Sequence, residues 1–140
     1  ILRLSCGVPR RYGAGSPGGG GFVPEIDWEG GHARVGNPTF RLEARRLLGG
    51  TVAGLAIATA PANLPVLGIT LLVNPVPPPL LVLVPVSGVG PGAGSASVTL
   101  PIPNDPGLAG GTGYAQWIAL DAAGSQGLSA SAGVEVTICP

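Results

Sequence analysis

Residues 114–120 alternate in a way that only an extended strand can use. Tyr114, Gln116, Ile118 and Leu120 fall on one side of such a strand. Ala115, Trp117, Ala119 and Asp121 fall on the other, because successive side chains of a strand point to opposite faces. Asp121 and Gly124 supply turn chemistry. Val134, Val136 and Ile138 then alternate with Glu135 and Thr137. Two antiparallel strands are predicted here, in a chain that carries few chemically reactive side chains.

The same period-2 pattern recurs upstream. In residues 39–46, Phe40, Leu42 and Ala44 oppose Arg41, Glu43 and Arg45, the signature of a half-exposed strand. A helix over residues 41–48 is disfavoured by that alternation and by Gly49-Gly50. Residues 52–59, 66–73 and 80–86 are apolar and read as buried strands. Residues 95–102 place Ala96, Val98, Leu100 and Ile102 on one face, with Pro101 and Pro103 marking a sheet edge or exit. Asn104-Asp105-Pro106-Gly107 reads as a turn. Residues 12–21 form a glycine-rich loop, and Phe22, Ile26 and Trp28 are expected to anchor the core.

Gly 25 and Pro 16 in 140 residues approach low-complexity levels, yet 45% hydrophobic residues oppose disorder. Short strands punctuated by Gly/Pro turns reconcile the two. The expectation is all-β: a single antiparallel β-sandwich or jelly-roll-like domain of about eight strands, with little or no helix. Residues 1–11 are read as an N-terminal strand or arm and 12–140 as the sandwich.

Seven arginines, no lysine and seven acidic residues give a net charge of zero. Such a surface lacks the electrostatic footprint for nucleic acid or anionic lipid. Low charge also lets copies approach one another. Residues 66–86 are apolar enough to resemble a membrane span, but Pro75, Pro77, Pro78, Pro79 and Pro85 exclude a regular helix there. They read as strand, proline-rich turn, strand, with no membrane span. The chain opens at Ile1 without a leader pattern, so the expectation is a secreted protein whose signal peptide has been removed.

Cys6 and Cys139 lie near opposite ends of the chain, and neither belongs to a CxxC pair. The preferred reading is one disulfide in an oxidising compartment. In the loop-entropy model such a long closure contributes about 4–5 kcal/mol. Two buried thiols and a bond between neighbouring molecules are the other readings.

Catalytic chemistry is sparse. Gly13-Ala-Gly15-Ser-Pro-Gly18 matches GxGxxG but lacks the strand before it and the helix after it that a dinucleotide site needs. His32 is the single histidine, and neither Ser16 nor Ser125 sits in a GxSxG frame. No enzyme activity, no cofactor and no metal site are expected. Glu25, Asp27 and Glu29 share one strand face but lack the oxygen density of a calcium loop, so they read as a solvated face. Trp28, Tyr114 and Trp117 are the candidates for stacking on sugar rings; burial of tryptophan is the commoner use.

Several pieces of the chain resemble a class of small secreted β-sandwich proteins and C-terminal domains, mostly uncharacterised, from planctomycetes and myxobacteria. They are Tyr12-Gly-Ala-Gly-Ser-Pro-Gly-Gly, Val35-Gly-Asn-Pro-Thr-Phe, Leu71-Leu-Val-Asn-Pro, Leu100-Pro-Ile-Pro-Asn-Asp-Pro-Gly-Leu-Ala-Gly and Tyr114-Ala-Gln-Trp-Ile-Ala-Leu-Asp, in that order. Members of this class often carry Cys at the positions of Ser16 and Ile69, so the resemblance implies a paired disulfide lost here and a different bond for Cys6 and Cys139. It implies secretion and a sandwich, and carries over no catalytic residue.

Together these features point to a non-enzymatic extracellular structural protein that self-assembles into a filament, sheath or surface layer. The apolar Ile1, Leu2 and Leu4 would add as a strand to a neighbour's sheet. The alternative is a carbohydrate-binding or adhesion module of the cell surface, with polysaccharide as partner.

Overall fold

Ten strands build the fold in the computed structural model, which describes residues 7–76 and 78–140. They are β1 (Arg10–Tyr12), β2 (Glu25–Glu29), β3 (Arg41–Gly49), β4 (Val52–Ala58), β5 (Pro61–Val66), β6 (Ile69–Val73), β7 (Leu80–Pro85), β8 (Gly90–Thr99), β9 (Thr112–Leu120) and β10 (Leu128–Thr137). The only helical pieces among the described residues are three short 3₁₀ turns. The chain is an all-β antiparallel sandwich. A five-stranded sheet, β1-β10-β9-β4-β7, faces a three-stranded sheet, β2-β3-β8, and the β5-β6 hairpin forms a separate two-stranded piece.

The period-2 patterns locate the core. Ile26, Phe40, Leu42, Ala44 and Leu47 from the smaller sheet meet Ala53, Leu55, Ala115, Trp117, Ala119 and Val134 from the larger. Each large apolar side chain so buried stabilises the fold by about 1.5–3 kcal/mol. Trp117 is fully buried at the centre. The alternation in β3 breaks at Arg45 and Arg46, which are both exposed. Arg46 takes a left-handed φ of 61°, and the register with β8 shifts between Ala44 and Leu47. This bulge lets Leu47 return to the core after two outward residues.

Three expectations need correction. Residues 66–73 are not one buried strand: Leu67 and Gly68, with φ of 51° and 79°, turn the chain between β5 and β6. Two successive left-handed residues match the twist of a tight hairpin. Residues 80–86 are mostly not buried either, because β7 lies at a sheet edge, with Leu80, Leu81 and Leu83 exposed. Phe22 is no core anchor; it lies at the surface with the Arg46 guanidinium 5.9 Å from its ring centroid. The two additional strands were hard to read. β1 is three residues long with two arginines, and β5 contains Pro61 and Pro65.

The proposed boundary after residue 11 falls inside β1, which pairs with β10 in register Arg10↔Glu135. Ile1, Leu2, Leu4 and Cys6 lie outside the described residues.

Candidate assembly edge

The five-stranded sheet buries one face in the sandwich and treats the two halves of its other face differently. Over β9 and β10 that outer face is covered by β6. Gln116 is fully buried there although it points away from the core. Its Oε1 accepts from the Leu72 N–H at 3.0 Å, and its Nε2 donates to the Thr70 and Ser131 carbonyls at 2.9 and 3.0 Å. The amide thus ties β6 to β9 and to the bulge of β10. Ala56, Ala58 and Val73 pack beside it as a second small core.

Tyr12 fastens the same hairpin from the side. Its hydroxyl donates to the Leu72 carbonyl, and its ring meets Tyr114 edge-on at 6.0 Å. Burial, helped by Tyr114 and Glu135, pushes the Tyr12 phenol up to about 12. The Tyr114 hydroxyl donates to Glu135 at 3.0 Å, and that bond, with some desolvation, raises its pKa as well.

Over β7 the outer face is bare. Leu81 is 53% exposed and Leu83 65%; Leu80, at the start of the strand on its other face, is 63% exposed. Leu81 and Leu83 lie across Gly54 of β4: a Cβ at Gly54 would sit 2.8 Å from Leu81 Cδ1 and 3.2 Å from Leu83 Cδ2. The glycine therefore gives the two leucines a flat seat on the sheet.

The backbone edge of β7 is open too. In an antiparallel ladder, alternate residues bond inward and outward. Pro85, which has no N–H, takes an outward position opposite Val52. Ser87 continues the outward series, exchanging backbone bonds with Ser95 of β8 at 2.9 and 3.3 Å. Leu81 and Leu83 share that parity, so their N–H and C=O groups point away from β4. On β8, Leu100 bonds back toward β3 through the Phe40 carbonyl at 2.7 Å. Ser97 and Thr99 have the opposite parity and point toward β7.

The two sheets thus touch at the Ser87–Ser95 corner and then diverge. A cleft of about 490 Å³ opens there, lined by Val84 and Pro85 on one side and Ser95, Ala96 and Ser97 on the other, with Glu43 and Arg45 at its rim. An apolar cavity of about 380 Å³ lies between the layers, lined by Phe40, Leu42, Ile57, Leu100 and Leu108 among others. It reaches Ile57, whose partner across the ladder is Leu80.

The other sequence candidates are dispersed. Trp117 has no exposed surface, so it offers no face to a sugar; the small neighbours Ala115 and Ala119 make room for its ring in the core rather than opening a platform. Trp28 is half-buried against the core, with the Arg11 guanidinium 4.7 Å from its ring centroid. Tyr114 is half-buried and engaged with Tyr12 and Glu135. Glu25, Asp27 and Glu29 do share one face, but arginines answer them. Arg11 and Arg45 pair with Asp27, Arg46 with Glu25 at 3.3 Å, and Arg45 with Glu29 at 4.0 Å. Glu43 joins them through Arg45 at 3.6 Å and also pairs with Arg41 at 3.0 Å.

Among the described residues, no group of three or more His, Cys, Asp or Glu side chains is placed to hold a metal. His32 lies exposed in a loop beside Arg34 and Asn37. Asp121 is buried, and its carboxylate accepts from the Gly19 and Ala123 N–H groups at 2.8 and 3.1 Å, a structural clamp on the glycine-rich loop. Cys139 is buried; its N–H donates to the Ala33 carbonyl at 2.8 Å, and the Ala33 N–H donates to Gly7 at 2.9 Å. No helix among the described residues is long and apolar enough to cross a membrane.

Gln116 and the β7 edge are the two features that residue-type motifs did not single out. A lone amide amid apolar residues was the available signal for Gln116, and a proline at the end of an apolar run was the signal for β7.

Compared with known proteins, the chain matches no family model, no curated protein and no solved structure.

Proposed function

We propose that this protein is a non-enzymatic extracellular structural subunit that assembles with copies of itself through the open edge of β7. The observation that carries this reading is the conjunction at β7 of outward backbone groups with three exposed leucines. A long apolar edge of this kind is a template for another strand unless it is blunted by charge, proline or cover. Prolines stand only at its ends, Pro79 just before Leu80 and Pro85 last, and no charged residue lies within β7. The neutral chain adds little repulsion between copies. The ordered resemblance to secreted sandwich domains supports an extracellular site. A disulfide between Cys6 and Cys139 within one chain would fit that compartment.

The test is sedimentation velocity with negative-stain electron microscopy on the wild type and on L81K/L83K. Concentration-dependent, regular polymers of the wild type, lost in a double variant with unchanged circular dichroism, support the reading. A wild type that stays a monodisperse monomer across the accessible concentration range overturns it.

A further inference from the structure

We infer that the apolar cavity between the layers is a binding site for one free alkyl chain without an anionic head, taken up tail first where β9 begins. The site is separate from the β7 edge and does not rest on the assembly reading. Three observations point to it.

The cavity comes from an omission in the core. Gly113, Ala115 and Trp117 share the inward row of β9, and Gly113 leaves that row without a side chain opposite Val136. Neither backbone nor space requires glycine there. Its φ is not left-handed. A Cβ built on it would meet only the Ala58 carbonyl oxygen, at 3.8 Å, an ordinary contact. A larger side chain would fit and would supply contacts that the lining now lacks. Interiors are otherwise close-packed, and apolar space left empty costs stability until something fills it.

The shape suits a chain. Phe40, Leu42 and Ala115 form a buried floor, and Gly107, Gly111 and Thr112 an exposed mouth. The volume of about 380 Å³ falls within the range of about 300–1,000 Å³ typical of small-ligand sites. Apolar cavities take up apolar guests in preference to water. The mouth is held in place, since the Gly110 N–H donates to the Ile138 carbonyl at 2.8 Å and the Ile138 N–H to the Gly111 carbonyl at 2.9 Å.

The chemistry selects the head. No residue of the lining is charged. Its two hydroxyl-bearing residues are engaged, Thr112 with Thr137 and Tyr114 with Glu135, each at 3.0 Å. Beside the mouth the fold fixes a carboxylate: Asp105 Oδ1 accepts from the Gly107 N–H at 2.9 Å. An anionic head would meet that like charge, and drawn inside it would stay unpaired. The rim of Gly107, Gly111 and Thr112 offers a bilayer neither basic nor large apolar side chains, so the chain is a free molecule.

The test is titration of the protein with n-decanol and with decanoate at neutral pH, read by methyl chemical shifts. Decanol should bind saturably, shifting Leu42, Ile57 and Val136 but not Leu81 and Leu83, and decanoate should bind at least about tenfold more weakly. G113L should keep its circular dichroism and lose the binding. L81K/L83K should bind decanol like the wild type, whatever becomes of assembly. The inference is overturned by absence of saturable binding, by equal binding of decanoate, or by shifts confined to Leu81 and Leu83. A folded G113L that still binds overturns it too; if G113L does not fold, the wild-type methyl shifts decide alone. Flotation with phosphatidylcholine vesicles tests the source: a protein that floats with them yet ignores decanol takes a membrane lipid, and the free ligand is wrong.

Discussion

The covered and bare halves of one sheet face differ in how they satisfy the same backbone. β9 and β7 both belong to the five-stranded sheet, and both turn a side-chain row away from the core. Over β9 the row carries a buried amide, which binds the hairpin through two hydrogen bonds and β10 through a third. Over β7 the row carries leucines and nothing within the described chain is bound to it. The lesson is that the cover is fastened by two well-placed polar side chains, Gln116 and Tyr12, over a small apolar core. A buried amide with all its partners holds a layer in place, while leucine alone has no directional hold on one. Where the polar group is missing, the apolar surface stays available to another molecule.

The largest effect is expected from unfastening the covered half. Gln116→Leu leaves the Leu72 N–H and the Thr70 and Ser131 carbonyls without their partner. It should lower unfolding stability by about 2–4 kcal/mol, since buried unpaired groups carry their full desolvation cost. Urea unfolding measures this, and a loss under about 0.5 kcal/mol would remove Gln116 as the fastener.

Next comes Tyr12→Phe, which deletes one bond to the hairpin and should cost about 1 kcal/mol. The wild type adds a pH signature. Tyr12 ionises at about 12 in the fold against 10.0 for a free tyrosine, chiefly because burial disfavours the phenolate. A raised native pKa means that the folded state holds the proton more tightly. Stability is therefore intact below pH 10 and falls as pH climbs from 10 toward 12. Ultraviolet titration should find one phenol near the upper value, absent in Tyr12→Phe; two phenols titrating at 10 would contradict the burial of Tyr12.

A smaller change is expected on the charged outer face of the three-stranded sheet. Asp27→Asn breaks exposed pairs to Arg11 and Arg45. Such pairs contribute about 0–1 kcal/mol and are screened by salt. The loss should shrink further in 0.5 M salt; an unchanged loss would indicate a buried contribution. Smallest of all is the effect of L81K/L83K on the stability of the monomer, within about 0.5 kcal/mol per exposed site. A loss of several kcal/mol would mean that β7 is packed rather than bare.

The sandwich was legible in the sequence because alternation survives wherever one face is buried. Phe40, Leu42 and Ala44, and Ala115, Trp117 and Ala119, all point inward as their spacing requires. The fate of Trp117 was harder to read, because small neighbours can flank either a pocketed ring or an open one. The apolar runs misled for a physical reason. Residues 80–86 have no polar alternation, which describes a buried strand and a bare edge equally well. Only the sheet order decides between them, and that order comes from long-range pairing of β4 with both β7 and β9. The hairpin at Leu67 was hidden because a leucine takes a left-handed position that composition assigns to Asn or Gly. The acidic face was visible as a stripe, but its arginine partners come from β3 and from Arg11, outside its own strand.

The most direct test of the comparison is residue-resolved hydrogen exchange on the wild type, dilute and at assembling concentration. The Leu72 amide, held by Gln116, should be protected in both states. The Leu81 and Leu83 amides should exchange freely in the monomer and become protected on assembly. Assembly that leaves the Leu81 and Leu83 amides exchanging as they do in the monomer would contradict the account.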